Sequence, residues 1–359
     1  MTDLAGIDAA RRVLQQAIVR GDFPCAVVTV AAAGGPLWRE AFGHLTDDTD
    51  APAASPETWF DLASLTKPIV TTAVILDLVL RGGLTLDSRV EATIPTWRGD
   101  DRRGITLADL LEHASGLPAR LPMRPPDTRA EFVQCIVDVP LAHPPRTQAL
   151  YSDLGFILLG VIAEQVGHAP LDVLFARIVQ PVAHQWPVAH ALAFRVPEDR
   201  REITAPTRPL PDDPRQGLLQ GEVHDPYAMT FHGVAGHAGL FGTADAVAAI
   251  GSALLRALKD RAVAEGVWST ATTRRATARS TVPGSSRALG WDRMLQTSSC
   301  GRYMSAEAFG HVGFTGTSVW VDPVRDRVYV LLTNRVCGNG SIEEMRQVRR
   351  AFHEALTST

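Results

Sequence analysis

The stretch Phe60-Asp61-Leu62-Ala63-Ser64-Leu65-Thr66-Lys67-Pro68-Ile69-Val70 decides how the rest of the chain is read. Pro68 belongs in a first helical turn, where its missing N–H costs little, so a helix starts near Ser64. Apolar residues carry that helix to Arg81, and Gly82-Gly83 stops it. Helical spacing puts Ser64 and Lys67 on one face. Lysine is scarce here: of 35 lysines and arginines, only Lys67 and Lys259 are lysine. Arginine cannot lose its proton near neutral pH, whereas a desolvated lysine can. Lys67 among Leu62, Ile69 and Val70 therefore suggests a proton acceptor beside a serine nucleophile. Burial and the positive end of the helix dipole are both expected to lower its pKa. The plainer alternative is a Lys67 that caps a surface helix or pairs with Asp61. Lys259 lies on a polar helix face and reads as solvated.

Composition narrows the function classes. The 359 residues are 45% hydrophobic, ample for a sizeable core. A net charge of −4 with no basic stripe argues against nucleic acid as a partner. The first eight residues lack a cationic segment followed by an apolar one, so no signal peptide is evident. The most apolar stretch, 69–80, is broken by Asp77 and reads as a buried helix too short to span a bilayer. A cytoplasmic protein without membrane contact is expected. Cys25, Cys135, Cys300 and Cys337 show no paired spacing and read as reduced, mostly buried thiols.

Periodicity predicts a helix over 7–20, then strands over 25–32 and 37–42 joined at Ala33-Gly34-Gly35-Pro36. Helices are expected over 107–113, 129–137, 154–166, 171–179 and 244–258, interrupted by a Pro-rich irregular stretch over 181–215. Strands follow over 288–294, 317–322 and 327–333, and a helix over 341–356. Strands at both ends around a helical middle suggest one sheet built from both ends of the chain. The expected class is α/β (α+β), with one lobe from 1–57 and 285–359 and a helical lobe from 58–284.

A Ser–Lys nucleophile needs partners for proton transfer, oxyanion donors and a substrate wall. Tyr151-Ser152-Asp153 precedes the helix over 154–166, where a Tyr can present its phenol to a cleft. Alternatively, the Tyr is merely packed there and Asp153 is the N-cap. Phe309-Gly310-His311-Val312-Gly313-Phe314-Thr315-Gly316-Thr317-Ser318 offers a bare strand edge to which a substrate can add, or a simple Gly-rich hairpin.

Ser-x-x-Lys, Tyr-x-Asp and His-x-Gly, in this order at 64, 151 and 311, resemble the serine β-lactamase and penicillin-binding-protein superfamily. Tyr in the second box is closer to class C β-lactamases, D-Ala-D-Ala carboxypeptidases and β-lactamase-like esterases. The stretches 110–118, 221–225 and 233–245 look most like the penicillin-binding-protein-4B-type branch. The resemblance implies a β-lactamase/transpeptidase-like fold, an antiparallel sheet flanked by terminal helices plus an inserted, mostly helical lobe. It implies that Ser64 attacks a carbonyl, that Lys67 and Tyr151 share the proton work, and that the N–H groups of Ser64 and Phe314 form the oxyanion hole. His311 stands where the family has Lys or His on the inner strand, followed by Gly313. His224, Asp225 and His237 are near-site candidates. His224 with Asp225 reads either as a metal site or as a turn-stabilising network.

Two departures bear on substrate. Asp153 stands where the commoner pattern has Asn, and an ionised Asp can only accept hydrogen bonds. Val312 stands where Thr or Ser is usual, so a hydroxyl for a substrate carboxylate is missing unless Thr315 or Thr317 supplies it. The expectation is a serine acyl hydrolase for small esters or amides, working through an acyl-Ser64 intermediate without metal or organic cofactor. The alternatives are a muropeptide-like D-amino-acid peptide hydrolase or β-lactamase, and a non-catalytic penicillin-binding sensor. Oligomeric state is left open.

Overall fold

The central strand-forming stretches are near-continuous apolar runs because the sheet they build is covered on both faces. The computed structural model describes residues 4–358 apart from 212. In chain order the strands are β1 (Cys25–Ala32), β2 (Gly35–Gly43), β3 (Phe60–Asp61), β4 (Leu192–Ala193), β5 (Phe241–Gly242), β6 (Asp292–Arg293), β7 (Phe309–Val312), β8 (Ser318–Asp322) and β9 (Arg327–Thr333). Among the described residues the main sheet has the order β2-β1-β9-β8-β7-β6, and β3, β5 and β4 form a small second sheet. All main-sheet pairings are antiparallel. β1 and β9 come from opposite ends of the chain and pair from Ala26 opposite Thr333 to Ala31 opposite Val328.

The helices are α1 (Leu4–Val19), α2 (Ala73–Leu80), α3 (Leu107–Leu111), α4 (Arg129–Asp138), α5 (Asp153–Gly167), α6 (Leu171–Gln185), α7 (Pro226–Thr230), α8 (Ala244–Leu258), α9 (Thr270–Thr277) and α10 (Ile342–Thr357). Ala26, Val28, Trp320, Tyr329 and Leu331 share a core with α1 and α10. Val27, Val319, Val321, Val328 and Val330 belong to the larger core on the other face, which includes α8 and the helical middle.

Several elements depart from the sequence reading. The helix expected at Ser64 is there but not uniform: a 3-10 turn (Ala63–Leu65) passes into a π-helical turn (Lys67–Thr72) and then into α2. Such π turns gather at functional sites. The whole run, Ala63–Leu80, is longer than the stretch over 69–80. It is apolar and long enough to cross a bilayer by length and composition, yet 78% of it is buried inside the fold. α6 continues through Pro181 to Gln185 because Val182 and Ala183 belong to the core. The strand over 288–294 shrinks to β6, and α9 forms where no helix was expected. Ser269 caps α9, and its faces bury Thr272, Thr273, Ala276 and Thr277.

Candidate active site

Ser64 sits on a strained turn. Ala63 before it holds φ 48°, a left-handed conformation that costs a non-glycine residue energy and persists only where the surroundings enforce it. Asp61 Oδ1 accepts the Ala63 N–H at 2.8 Å, and Thr66 Oγ1 donates to the Ala63 carbonyl at 2.7 Å. Lys67 is 0% exposed. Its Nζ donates to Ser64 Oγ at 2.9 Å and to the His237 carbonyl at 3.0 Å, and it pairs with Asp153 Oδ1 at 2.8 Å. Three acceptors match the three donors of an ammonium. The expected lowering of the Lys67 pKa is therefore corrected. Burial does push it down, but the Asp153 carboxylate and the Tyr151 phenol outweigh burial, and the pKa ends above its ordinary value.

The second wall comes from the start of α5. Ser152, not Asp153, is the N-cap, accepting from the Gly155 N–H. Asp153 is thereby free to face Lys67. The Tyr151 ring lies 4.9 Å from Lys67 Nζ, 5.1 Å from the Arg287 guanidinium carbon and 4.5 Å from the His113 ring. His113 Nδ1 accepts the Ser152 N–H at 3.0 Å. Burial, then the charges of Arg287 and Lys67, hold His113 well below its ordinary pKa. It is a neutral brace for the Tyr151 loop.

The third wall is β7 and the loop to β8. β6 pairs only with Phe309 and Gly310, so the edge from His311 to Gly313 stays unpaired beside Ser64. The glycines serve packing as well as a bare edge. A Cβ on Gly310 would strike the Val319 carbonyl and the Trp320 ring, and one on Gly313 would strike Thr317 Oγ1. Thr315 and Thr317 do not offer hydroxyls to the cleft. Both are buried and donate to backbone carbonyls, Thr315 to Asp61 at 2.7 Å and Thr317 to Leu62 at 3.1 Å, tying this loop to the Ser64 turn. His311 Nδ1 donates to the Val312 carbonyl at 2.9 Å, and its Nε2 is buried without a partner. Burial, then Lys67 and Arg287, keep this imidazole well below its ordinary pKa and hence neutral.

Ser64, Tyr151, Arg287, His311, Phe314 and Arg349 line one cavity of about 410 Å³. The N–H groups of Ser64 and Phe314 donate to no protein acceptor among the described residues. Arg335 fixes the Phe314 carbonyl through Nε (3.0 Å) and Nη2 (2.6 Å). Arg349 Nη2 donates to the Gly313 and Thr317 carbonyls at 2.8 and 2.9 Å. Sequence reasoning passed over His113, Arg120, Arg287, Arg335 and Arg349. Only His113, inside the 110–118 stretch, stood in a segment already singled out.

His224 and Asp225 are committed to different partners, as a turn-stabilising network would have them. Asp225 Oδ1 meets His237 Nε2 at 2.9 Å, the His224 ring stacks 5.6 Å from Phe314, and the His224 N–H bonds Asp61 Oδ2 at 2.7 Å. Among the described residues no cluster of three metal-ligating side chains occurs. Burial pushes the Asp61 carboxyl up to about 6, against the bonds from His224 and Ala63. The folded chain then holds this proton more tightly than the unfolded one. The contribution of Asp61 to stability therefore falls as pH rises from roughly 4, the unfolded value, through its folded value. Thermal denaturation should show the Tm of wild type minus that of Asp61→Asn decreasing between pH 4.5 and 7. A flat difference rules out the raised carboxyl.

A protein-family model for beta-lactamase matches residues 10–354. The chain belongs to the beta-lactamase family. It is 30% identical over 349 residues to an N-acetylmuramyl-L-alanine amidase of Bacillus subtilis (strain 168), across 88% of this chain and 78% of the relative. Among solved structures, EstCE1, a hydrolase with promiscuous acyltransferase activity, superposes with a TM-score of 0.76 at 21% identity, covering 99% of both chains. A class C beta lactamase from Rhodobacter sphaeroides gives a TM-score of 0.76 at 20% identity, over 98% of this chain and 99% of that one. These structural likenesses show that the beta-lactamase-family chain has the beta-lactamase fold.

Proposed function

We propose that this hydrolase of the beta-lactamase family cleaves small esters or amides through an acyl-Ser64 intermediate. The observation that carries the reading is the wholly buried Lys67 ammonium bonded to Ser64 Oγ at 2.9 Å, with Asp153 on its other side. In the first half-reaction Ser64 Oγ attacks the substrate carbonyl and its proton passes to the Tyr151–Lys67 pair. Because Lys67 already holds its proton, Tyr151 takes the new one, with the ammonium stabilising the phenolate that receives it. The carbonyl oxygen becomes an oxyanion that accepts from the N–H groups of Ser64 and Phe314. The C–O or C–N bond then breaks, and the leaving alcohol or amine takes the proton from the pair. Water repeats the sequence on the acyl-Ser64 ester, releasing the acid and restoring Ser64.

Asp153 places a negative charge where the commoner Asn is neutral, which favours neutral substrates. A second reading, a D-amino-acid peptide hydrolase, is favoured by Arg335 and Arg349. These guanidinium groups are 7% and 6% exposed beside Ser64, and neither has a carboxylate partner among the described residues. A relative 30% identical over 317 residues, a putative D-alanyl-D-alanine carboxypeptidase of Salmonella gallinarum, supports the same reading. A panel of chromogenic esters, D-amino-acid anilides and a cephalosporin tests both. Wild type should turn over neutral esters fastest. Asp153→Asn should raise the ratio of β-lactam to ester turnover and move the acidic limb of kcat/KM to lower pH, because the proton-accepting pair loses a nearby negative charge. If ratio and limb both stay put, Asp153 has no electrostatic role in the chemistry. Acylation without turnover of any substrate would instead favour the sensor.

A further inference from the structure

Lys67 belongs to a closed ring of charged and polar groups that extends beyond the residues used above. Asp153 Oδ1 meets Lys67 Nζ at 2.8 Å, and Asp153 Oδ2 lies 3.8 Å from Arg120 Nε. Arg120 Nη2 donates to Asp225 Oδ2 at 3.0 Å, and Asp225 Oδ1 meets His237 Nε2 at 2.9 Å. The His237 carbonyl closes the ring on Lys67 Nζ at 3.0 Å. The Arg120 guanidinium is further held over the Tyr227 ring at 4.2 Å, and Asp225 caps α7 by accepting the Ala228 N–H at 2.9 Å. The Arg120 cation draws on the same carboxylate that pairs with Lys67, and Asp225 draws Arg120 away from it. The charge balance at Lys67 is thus set two residues out.

We infer that Arg120 and Asp225 are positioning residues that set the protonation of the Tyr151–Lys67 pair through Asp153 and the His237 carbonyl. This rests on the proposed acyl-Ser64 chemistry. Acylation needs the pair to be able to accept the Ser64 proton, so its apparent pKa, which belongs to the pair and not to either residue, forms the acidic limb. A more positive field lowers that pKa and a more negative one raises it. The other ionisable and charged groups around the ring are Arg287, the neutral imidazoles of His113 and His311, and His224 and Asp61 behind Asp225.

The test is the pH profile of kcat/KM for a neutral ester, with covalent labelling of Ser64 recorded for every variant. Arg120→Gln removes a cation beside Asp153, and the limb should rise by about 0.5–1 pH unit. Asp225→Asn keeps an acceptor for Ala228 and His237 but leaves the Arg120 charge unbalanced, and the limb should fall by about as much. Arg120→Lys restores the charge and should return the limb toward wild type. Damage to packing alone lowers the rate without opposite shifts from two residues in contact. Asp61→Asn tests whether the limb is simply the titration of that buried carboxyl, which is pushed up to about 6, and a limb should persist in it, shifted by no more than Asp225→Asn shifts it. Shifts of the same sign, no shift, or a limb that follows Asp61 overturns the inference while Ser64 still labels. Absence of a Ser64 adduct in wild type overturns the underlying chemistry instead.

Discussion

Ser64→Ala is expected to lower kcat/KM for a neutral chromogenic ester by roughly 10⁴-fold or more, the scale on which removing a nucleophile acts in comparable sites. The side chain is half-buried, and among the described residues its Oγ takes one partner, Lys67 Nζ. Its loss should therefore leave the fold intact, and circular dichroism and thermal denaturation will show this. The turn that presents it is held by Asp61, Thr66, Thr315 and Thr317, none of which depends on the hydroxyl. Residual turnover would reflect the oxyanion donors acting on water. Retention of a tenth or more of the wild-type rate would mean that another group attacks the carbonyl.

Lys67→Arg is expected to be nearly as damaging as Lys67→Ala, with losses of about 10²–10⁴-fold, because either change disables the Tyr151–Lys67 pair that handles the Ser64 proton. Arginine preserves the charge that balances Asp153. Its planar fork does not match three acceptors disposed around a single nitrogen, so it cannot keep the cation placed to stabilise the Tyr151 phenolate. The site adds a steric demand, since Lys67 is fully enclosed by Phe156, Tyr151 and the His237 backbone. Comparing kcat/KM of the two variants under identical conditions decides the matter. Near-normal activity in Lys67→Arg means that any cation at this position serves and that the placement of a single ammonium nitrogen is not required.

The parts of the fold visible in the chain were those governed by local periodicity and turn chemistry. β1, β8, β9 and α8 match their expected bounds within a residue because the strands are short, valine-rich apolar runs and α8 repeats its apolar residues at helical spacing over several turns. The helix start at Ser64 was marked by Pro68, and strands at both ends suggested one sheet built from both ends of the chain, whereas its antiparallel order and flanking terminal helices were expected only from the family resemblance. The π turn was hidden, because it answers to long-range bonds such as Thr71 Oγ1 to the Gly236 carbonyl at 2.6 Å. α9 was hidden by its threonines, poor helix formers that tertiary burial overrides.

The site shows the same division. Ser64, Lys67 and Tyr151 were legible as residue types at telling spacings, and the structure brings them together. The direction of the Lys67 pKa was misjudged because burial could be read from its neighbours in sequence, whereas the opposing Asp153 charge arrives from another element. Thr315 could be seen as a hydroxyl but not as one already committed to the Asp61 carbonyl. Arg120, Arg287, Arg335 and Arg349 were indistinguishable from other arginines in a chain that uses arginine for nearly every cation.

Intact-mass spectrometry of the wild-type chain, quenched during reaction with a slow β-lactam or a fluorophosphonate, tests the acyl-Ser64 mechanism most directly. The expected result is one adduct per chain, mapped to Ser64 by peptide digestion and absent from Ser64→Ala. An adduct on a different residue, or ester turnover by Ser64→Ala equal to that of wild type, would contradict it.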